Sequence, residues 1–399
     1  MKKLLCALLC LCILSSAAAA AFSDAGSIRN PDAVALMGDL GLVAGYEDGT
    51  FRPRNNIRRA EAAKLAALIC QKDPQAAPAA FSDVAKGLWA EQYIGYCAQK
   101  GIMVGAQGRF RPHDYVTARE LAKILLVCIG YKGETYTGPN WKAQVDADAE
   151  KLSIYRDFTA GRDAYISRDN ACLLMYNAMQ CFAVSGGNYV VDQLMNPVTY
   201  MEHRFGVVKF SGLLEANEYA DLTKNGGRLE EGLSKLQGHM PFRVSTSYEM
   251  LGRVVEIYTL PQKTETGTAY KVLGLPHTAD TDQVTRATDE SGFLTALRYS
   301  GMELTDATRY YYNGDTAGSD LFARVGRDCV IAAADHNSDN VLDYVMVTDF
   351  TVGTVVRLSP LTVSSGDTLL PGGFLYGPRA VLLGQSVRCA AMGGRFLID

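Results

Sequence analysis

Histidine is scarce in this chain: five in 399 residues, at His113, His203, His239, His277 and His336, none close to another. No H-E-x-x-H pair, no G-x-S-x-G elbow and no glycine-rich phosphate loop occurs, so zincin, serine-hydrolase and nucleotide chemistry lack their local signatures. The adjacent acids Glu230 and Glu231 lie in a polar stretch and read as a solvated face, not as a glycosidase pair. Cysteine is present but unstructured in its spacing. Three of the ten stand at Cys6, Cys10 and Cys12; the other seven are Cys70, Cys97, Cys128, Cys172, Cys181, Cys329 and Cys389. An odd number without close pairs is neither a disulfide framework nor a zinc site, and buried small apolar residues are the plainer reading. Basic clusters are also missing. The net charge of −4 becomes more negative once Lys2 and Lys3 are removed, which argues against nucleic acid as a partner.

Long apolar runs are confined to the start. Lys2 and Lys3 precede an apolar stretch at 4–14 and a small-residue run at 17–21, so residues 1–21 read as a signal peptide cleaved before Phe22. No lipobox precedes Cys6, Cys10 or Cys12. Beyond this stretch no run approaches the roughly 18 apolar residues of a membrane helix, so no membrane contact is expected after cleavage.

What is present is repetition. Residues 41–69 read GLVAGYEDGTFRPRNNIRRAEAAKLAALI, and residues 101–129 read GIMVGAQGRFRPHDYVTARELAKILLVCI. A weaker copy of the helical half stands at 166–179, ISRDNACLLMYNAM. Each pairs a glycine-rich turn or its remnant with a short amphipathic helix. Thr117 with Glu120 forms a full capping box, Ser167 keeps the cap but has Asn170 opposite, and Arg58 replaces the cap so that only Glu61 survives. The apolar stripes are Ala62, Leu65, Ala66 and Ile69; Leu121, Ile124, Leu125 and Cys128; and Ala171, Leu174, Met175 and Ala178. Helices this short need one another to close a core. FSD opens the first two units at 22–24 and 81–83, Gly41 and Gly45 flank the first turn where positive φ is expected, and DPQAAPAA at 73–80 links the units.

The strings GYEDGTFRP and IRRAE, preceded by NPDAVALMGDLGLV, resemble the S-layer homology domain; so does FSDVAKGLWAEQYIGYCAQKGIMVG before the second copy. The resemblance implies three repeats, at 22–78, 79–135 and, in degenerate form, 136–184, closing as a pseudo-threefold helical trimer. It also implies non-covalent binding of a secondary cell-wall polysaccharide in grooves between repeats, often one carrying pyruvate ketals. The arginine of the family's TRAE motif falls at Arg59 and Arg168; copy two reads TARE, which puts Ala118 in that slot and Arg119 about 100° further round the helix. The polysaccharide contacts implied are Arg59, Arg168, Asp83 and Trp89. A planar cation suits a carboxylate. Trp89, Tyr93 and Tyr96 can stack on sugars or pack in a core, and the residues alone leave both open.

SGGN at 185–188 marks a break, with 185–204 expected as a linker and 205–399 as a mostly β region of two small barrels or sandwiches. Strand-like runs stand at 205–216, 251–260, 269–275, 328–335, 342–350 and 351–359. DHNSDNVLD at 335–343 offers Asp335, Asn337, Asp339 and Asp343 at positions suited to calcium, or else forms an Asp/Asn-rich hairpin turn. The fold class is thus multidomain α + β. The leading function is wall anchoring of a non-enzymatic surface protein. A wall-anchored enzyme acting on glycan or peptide through the β region, and a calcium-stabilised, self-associating subunit, are the competing readings.

Overall fold

The computed structural model describes residues 22–71, 73–75, 81–224, 227–264, 267–278, 283–326, 328–358, 361–366, 368–371, 373–375, 381–392 and 395–398. The signal-peptide stretch 1–21 and most of the expected linker at 73–80 lie outside them. The chain divides into two compact units, one built on residues up to Val208 with 260–269 and 273–275, the other on 209–259, 270–272 and the rest to the C-terminus. Helices dominate the first and sheets the second.

The first unit contains α1 (Pro31–Asp39), α2 (Arg59–Cys70), α3 (Glu91–Gln99), α4 (Ala118–Cys128), α5 (Trp141–Lys151), α6 (Arg168–Met179) and α7 (Tyr200–Phe205). Every residue of the three expected stripes on α2, α4 and α6 is buried. α1 packs on α6, α3 on α2 and α5 on α4. The three segments leading into α2, α4 and α6 meet in a closed cycle. The Ile57 amide donates to the Ile166 carbonyl (3.0 Å), Val116 to Ile57 (3.1 Å) and Ile166 to Val116 (2.9 Å). The next amides continue the pattern, Arg59 to Asp114, Ala118 to Ala164 and Arg168 to Asn55, each within 3.0 Å. Helix-start amides have no partner inside their own helix, so each helix is begun by its neighbour's loop.

Residues 185–204 do not form a linker. A hairpin of β1 (Val184–Ser185) and β2 (Asn188–Tyr189) precedes α7, whose Tyr200 and Met201 are buried. Arg204 donates through Nε to the Cys70 carbonyl at 3.0 Å and through Nη2 to Leu68 at 3.3 Å, capping the orphan carbonyls at the end of α2. The SGGN composition marks the hairpin turn, at Gly186 and Gly187 with φ of 60° and 88°, and not a flexible tether.

Among the described residues the strands from Val208 onward form two five-stranded sheets and one of six strands. The first orders β5 (Phe242–Arg243), β4 (Leu233–Leu236), β3 (Val208–Ala216), β6 (Val254–Thr264) and β7 (Gly267–Thr278). The second orders β10 (Asp315–Ala317), β9 (Arg309–Tyr312), β12 (Tyr344–Asp349), β11 (Cys329–Asp335) and β8 (Gln283–Ala287), with α8 (Glu290–Ser300) packed on β8. The six-stranded sheet includes β13 (Thr351–Leu358), β14 (Leu361–Ser365) and β17 (Ser386–Met392). All six strand-like runs of the sequence are strands, and α8 is the helix that the sequence reading did not anticipate there.

Candidate functional site

Asp24 and Asp83 open equivalent constructions. The Asp24 carboxylate accepts the amides of Phe51 and Arg52, both at 2.8 Å, and Asp83 accepts those of Phe110 and Arg111 at the same distances. The Phe51 amide leads in holding Asp24 below the usual carboxylate range; for Asp83 burial pushes upward, and the Phe110 and Arg111 amides outweigh it. The carboxylates let Arg52 and Arg111 take left-handed φ of 55° and 60°. Phe22 then rests on Phe51 and Phe81 on Phe110, with centroids 5.3 and 5.5 Å apart. Gly41 has the expected positive φ of 73°, but Gly45 does not. A Cβ on Gly45 would stand 2.6 Å from the Phe22 ring, so close approach explains that glycine, and Gly105 is the same against Phe81 at 2.5 Å.

The two arginines at the first position of their helices reach across to these turns. Arg59 Nε donates to the Phe110 carbonyl at 2.8 Å and Nη2 to Val104 at 3.1 Å. Arg168 does the same to Phe51 at 3.0 Å and Ala44 at 2.8 Å. Each guanidinium stacks on the phenylalanine of its turn, 4.7 Å from the centroid. Burial pulls the Arg59 guanidinium below its ordinary value.

Two open clefts result, of about 670 and 580 Å³. The first is lined by the 42–47 turn, Glu61 and Lys64 on α2, Trp89 and Arg168. The second is lined by 102–104, Glu120 and Lys123 on α4, Trp141 and Arg59. Turn, helix face, tryptophan and arginine correspond one for one, and each cleft draws on three stretches distant in sequence. Trp89 is 55% exposed, so it is not a core residue. Tyr96, by contrast, is buried. Lys64 is exposed, whereas Lys123 Nζ donates to the Tyr136 carbonyl at 2.7 Å and lies 5.4 Å from the Trp141 ring. Of the four polysaccharide contacts expected, Arg59, Arg168 and Trp89 line clefts, while both oxygens of Asp83 face the turn backbone.

Lys64, Lys123 and Trp141 were not anticipated as site residues. A signal existed: Glu-x-x-Lys recurs at 61–64 and 120–123 at the same helix position. The third helix breaks it, with Asn170 and buried Leu173 in those places. The start of α4 also lacks an arginine at the first helix position, where Ala118 stands. Arg119, one step later, instead binds Asp146 through Nε (3.0 Å) and Nη2 (2.9 Å) and contacts Asp163, with Lys142 on Asp163 at 2.9 Å.

The loop after β11 is a turn held by its own backbone. Asp335, fully buried, accepts the amides of Asn337 (3.2 Å), Ser338 (2.7 Å) and Asn340 (2.8 Å). Asp339 accepts the Val341 amide and Asp343 the His336 amide. Among the described residues no group of three or more His, Cys, Asp or Glu side chains could hold a metal ion. Asp335, Asn337, Asp339 and Asp343 each accept a main-chain N–H of the turn, and Asp339 Oδ2 also takes the Asn337 side-chain amide at 3.0 Å.

Comparison with known proteins bears on the helical unit. The S-layer homology domain family matches residues 21–63 and 80–122. A cellulosome-anchoring protein of Acetivibrio thermocellus is 31% identical over 198 residues, 44% of each chain. A surface-layer 125 kDa protein of Lysinibacillus sphaericus is 30% identical over 32% of this chain and 11% of its own length. An exoglucanase, XynX, of Acetivibrio thermocellus is 25% identical over 33% of this chain and 13% of its own. The chain spans less than half the length of each of these relatives. Among the described residues no helix is long and apolar enough to cross a membrane. Residues 21–63 and 80–122 are thus similar to S-layer homology domains, and the comparisons indicate a secreted, cell-wall-associated protein.

Proposed function

We propose that residues 22–184 are a three-repeat wall-binding module whose two clefts hold an acidic secondary cell-wall polysaccharide, and that the β-rich unit is the structural or interaction module it anchors. The observation that carries this reading is the duplicated cleft: arginine, lysine, glutamate and tryptophan recur at matching places although each set is gathered from three separate stretches. A repeated arrangement of this kind suits a repeated ligand. The cations answer a carboxylate such as a pyruvate ketal, and the tryptophan face suits the C–H face of a sugar ring. Residues 136–184 act as the third repeat; the closed hydrogen-bond cycle through Ile166 and the placement of Arg168 in the first cleft support this. The third surface, filled by the Arg119 cluster, does not bind.

Co-sedimentation of the chain with wall sacculi, before and after acid stripping of their secondary polysaccharide, tests the reading. Pelleting with unstripped walls alone is the expected result. Equal pelleting with stripped walls, or none with either, overturns it.

A further inference from the structure

The two clefts share an architecture but not a charge. The first sets two cations, Lys64 and Arg168, against two acids, Glu47 and Glu61. The second sets four cations, Arg59, Lys100, Lys123 and Lys132, against Glu120 and Glu134. The helix glutamates are already engaged in both, Glu61 with the Arg58 amide at 2.7 Å and Glu120 with the Thr117 amide at 2.9 Å. The surplus comes from outside the repeated pattern. Lys100 precedes Gly101 where the first copy has Leu40 before Gly41, and Lys132 stands on the loop after α4. Both lysines are exposed, whereas Arg59 and Lys123 are half-buried. Burial pulls Arg59 and Lys123 below their ordinary values, and Glu120 opposes that without cancelling it. Cations held this way gain from an incoming anion. Arg168 of the first cleft lies instead between two rings, 4.9 Å from the Tyr46 centroid and 4.7 Å from that of Phe51. The second copy has Ala106 where Tyr46 stands.

Resting on the wall-binding reading, we propose that the second cleft is selective for sugar units of the polymer that carry a carboxylate, while the first accepts units with or without one. Turn, tryptophan and arginine seat the sugar in either cleft. Lys100 and Lys132 are the residues that add the selection. A carboxylate entering the second cleft meets an excess of positive charge in a partly dehydrated setting, where attraction is less screened. In the first cleft it meets as many acids as cations, so the charge changes little, and the Trp89 and Tyr46 rings suit the C–H face of an uncharged unit.

Calorimetric titration of the full chain with polysaccharide released from wall sacculi gives the test. One sample is native; in the other, carbodiimide–borohydride reduction has turned carboxylates into alcohols while sparing phosphate. On the native sample the double variant Lys100→Gln, Lys132→Gln should bind about tenfold more weakly than the wild type and lose much of its dependence on salt. Lys100→Arg with Lys132→Arg should keep the wild-type behaviour. On the reduced sample the wild type should fall to the level of the Gln variant, which itself changes little. A Gln variant with wild-type affinity and salt dependence overturns the proposal and leaves wall binding standing. An advantage of the wild type that survives reduction overturns the carboxylate. A wild type that binds neither sample overturns the wall-binding reading and this inference together.

Discussion

A methyl group on Gly105 would meet both the Phe81 ring and the Arg109 carbonyl at 2.5 Å, and the latter is backbone that cannot rotate away. Gly105→Ala should therefore destabilise the helical unit by about 2 kcal/mol, in the range of overpacked cores. Gly45→Ala meets mainly a ring, at 2.6 Å, and should cost less; thermal unfolding of the two variants checks the order. Asp83→Ala removes the acceptor of two amides and should cost about 2 kcal/mol in the same assay. These residues mark the limit of what single positions disclose. FSD was legible as a recurrence, and the glycines as turn residues. That Asp83 serves the turn, and that Gly45 is small for Phe22 and not for its own φ, depends on partners about 25 residues away. The aspartates of 335–343 were ambiguous for the same reason, since one oxygen pattern suits a cation or a turn.

Helix starts were the most readable elements. Thr117 accepts the Glu120 amide at 3.2 Å and Glu120 accepts the Thr117 amide at 2.9 Å, so Thr117→Ala should cost about 1 kcal/mol. Arg58 has no acceptor to offer, and only the Glu61 half of that box exists, at 2.7 Å; Arg58→Ala should leave helix capping intact. Amphipathic periodicity gave the stripes because burial follows spacing directly. The sheets were read less fully. Their long strands stood out, while β9, β10 and β4, of two to three alternations each, carry too little pattern. α8 was legible in principle: Asp289 caps it, accepting the Gly292 amide at 2.7 Å, and Gly301 ends it with φ of 73°. A pH response belongs to this scale too. On β6, Glu256 meets His277 of β7 at 3.2 Å and Lys209 of β3 at 2.8 Å. His277 first, then Lys209, bring its carboxyl down to about 2 from an ordinary 4.5. A depressed carboxylate lends stability that is complete above the ordinary value and lost as pH falls through the folded one. The β unit should accordingly lose about 1 kcal/mol between pH 4.5 and 2, allowing for solvent screening, and Glu256→Gln should flatten that slope.

Over the whole molecule the clefts are products of topology. Arg168 serves the turn that begins more than a hundred residues before it, and nothing local announces that pairing. Sequence could supply the arginines and one tryptophan; which turn each meets, and the lysines that complete the sets, emerge only once three segments close on one another. Two equivalent clefts on one chain should bind a polymeric wall with avidity. Replacing Lys64 or Lys123 by Ala should weaken wall retention by about tenfold each, and the double variant by more than either. Retention of the double variant at the wild-type level would remove both lysines from the role.

The hydrogen-bond cycle through Ile57, Val116 and Ile166 fixes the copy number of the assembly. Every member gives one bond and takes one, so the circle tolerates neither gain nor loss of a single unit. Within the cycle, a chain deleted for 136–184 leaves one donor unanswered, at Ile57, and one acceptor, at Val116. Two such chains together bring four units to a circle that seats three, and the surplus passes to the next chain. Truncation should thus yield open-ended, polydisperse association by light scattering instead of a smaller monomer, and gene duplication in this scaffold is expected to proceed by threes.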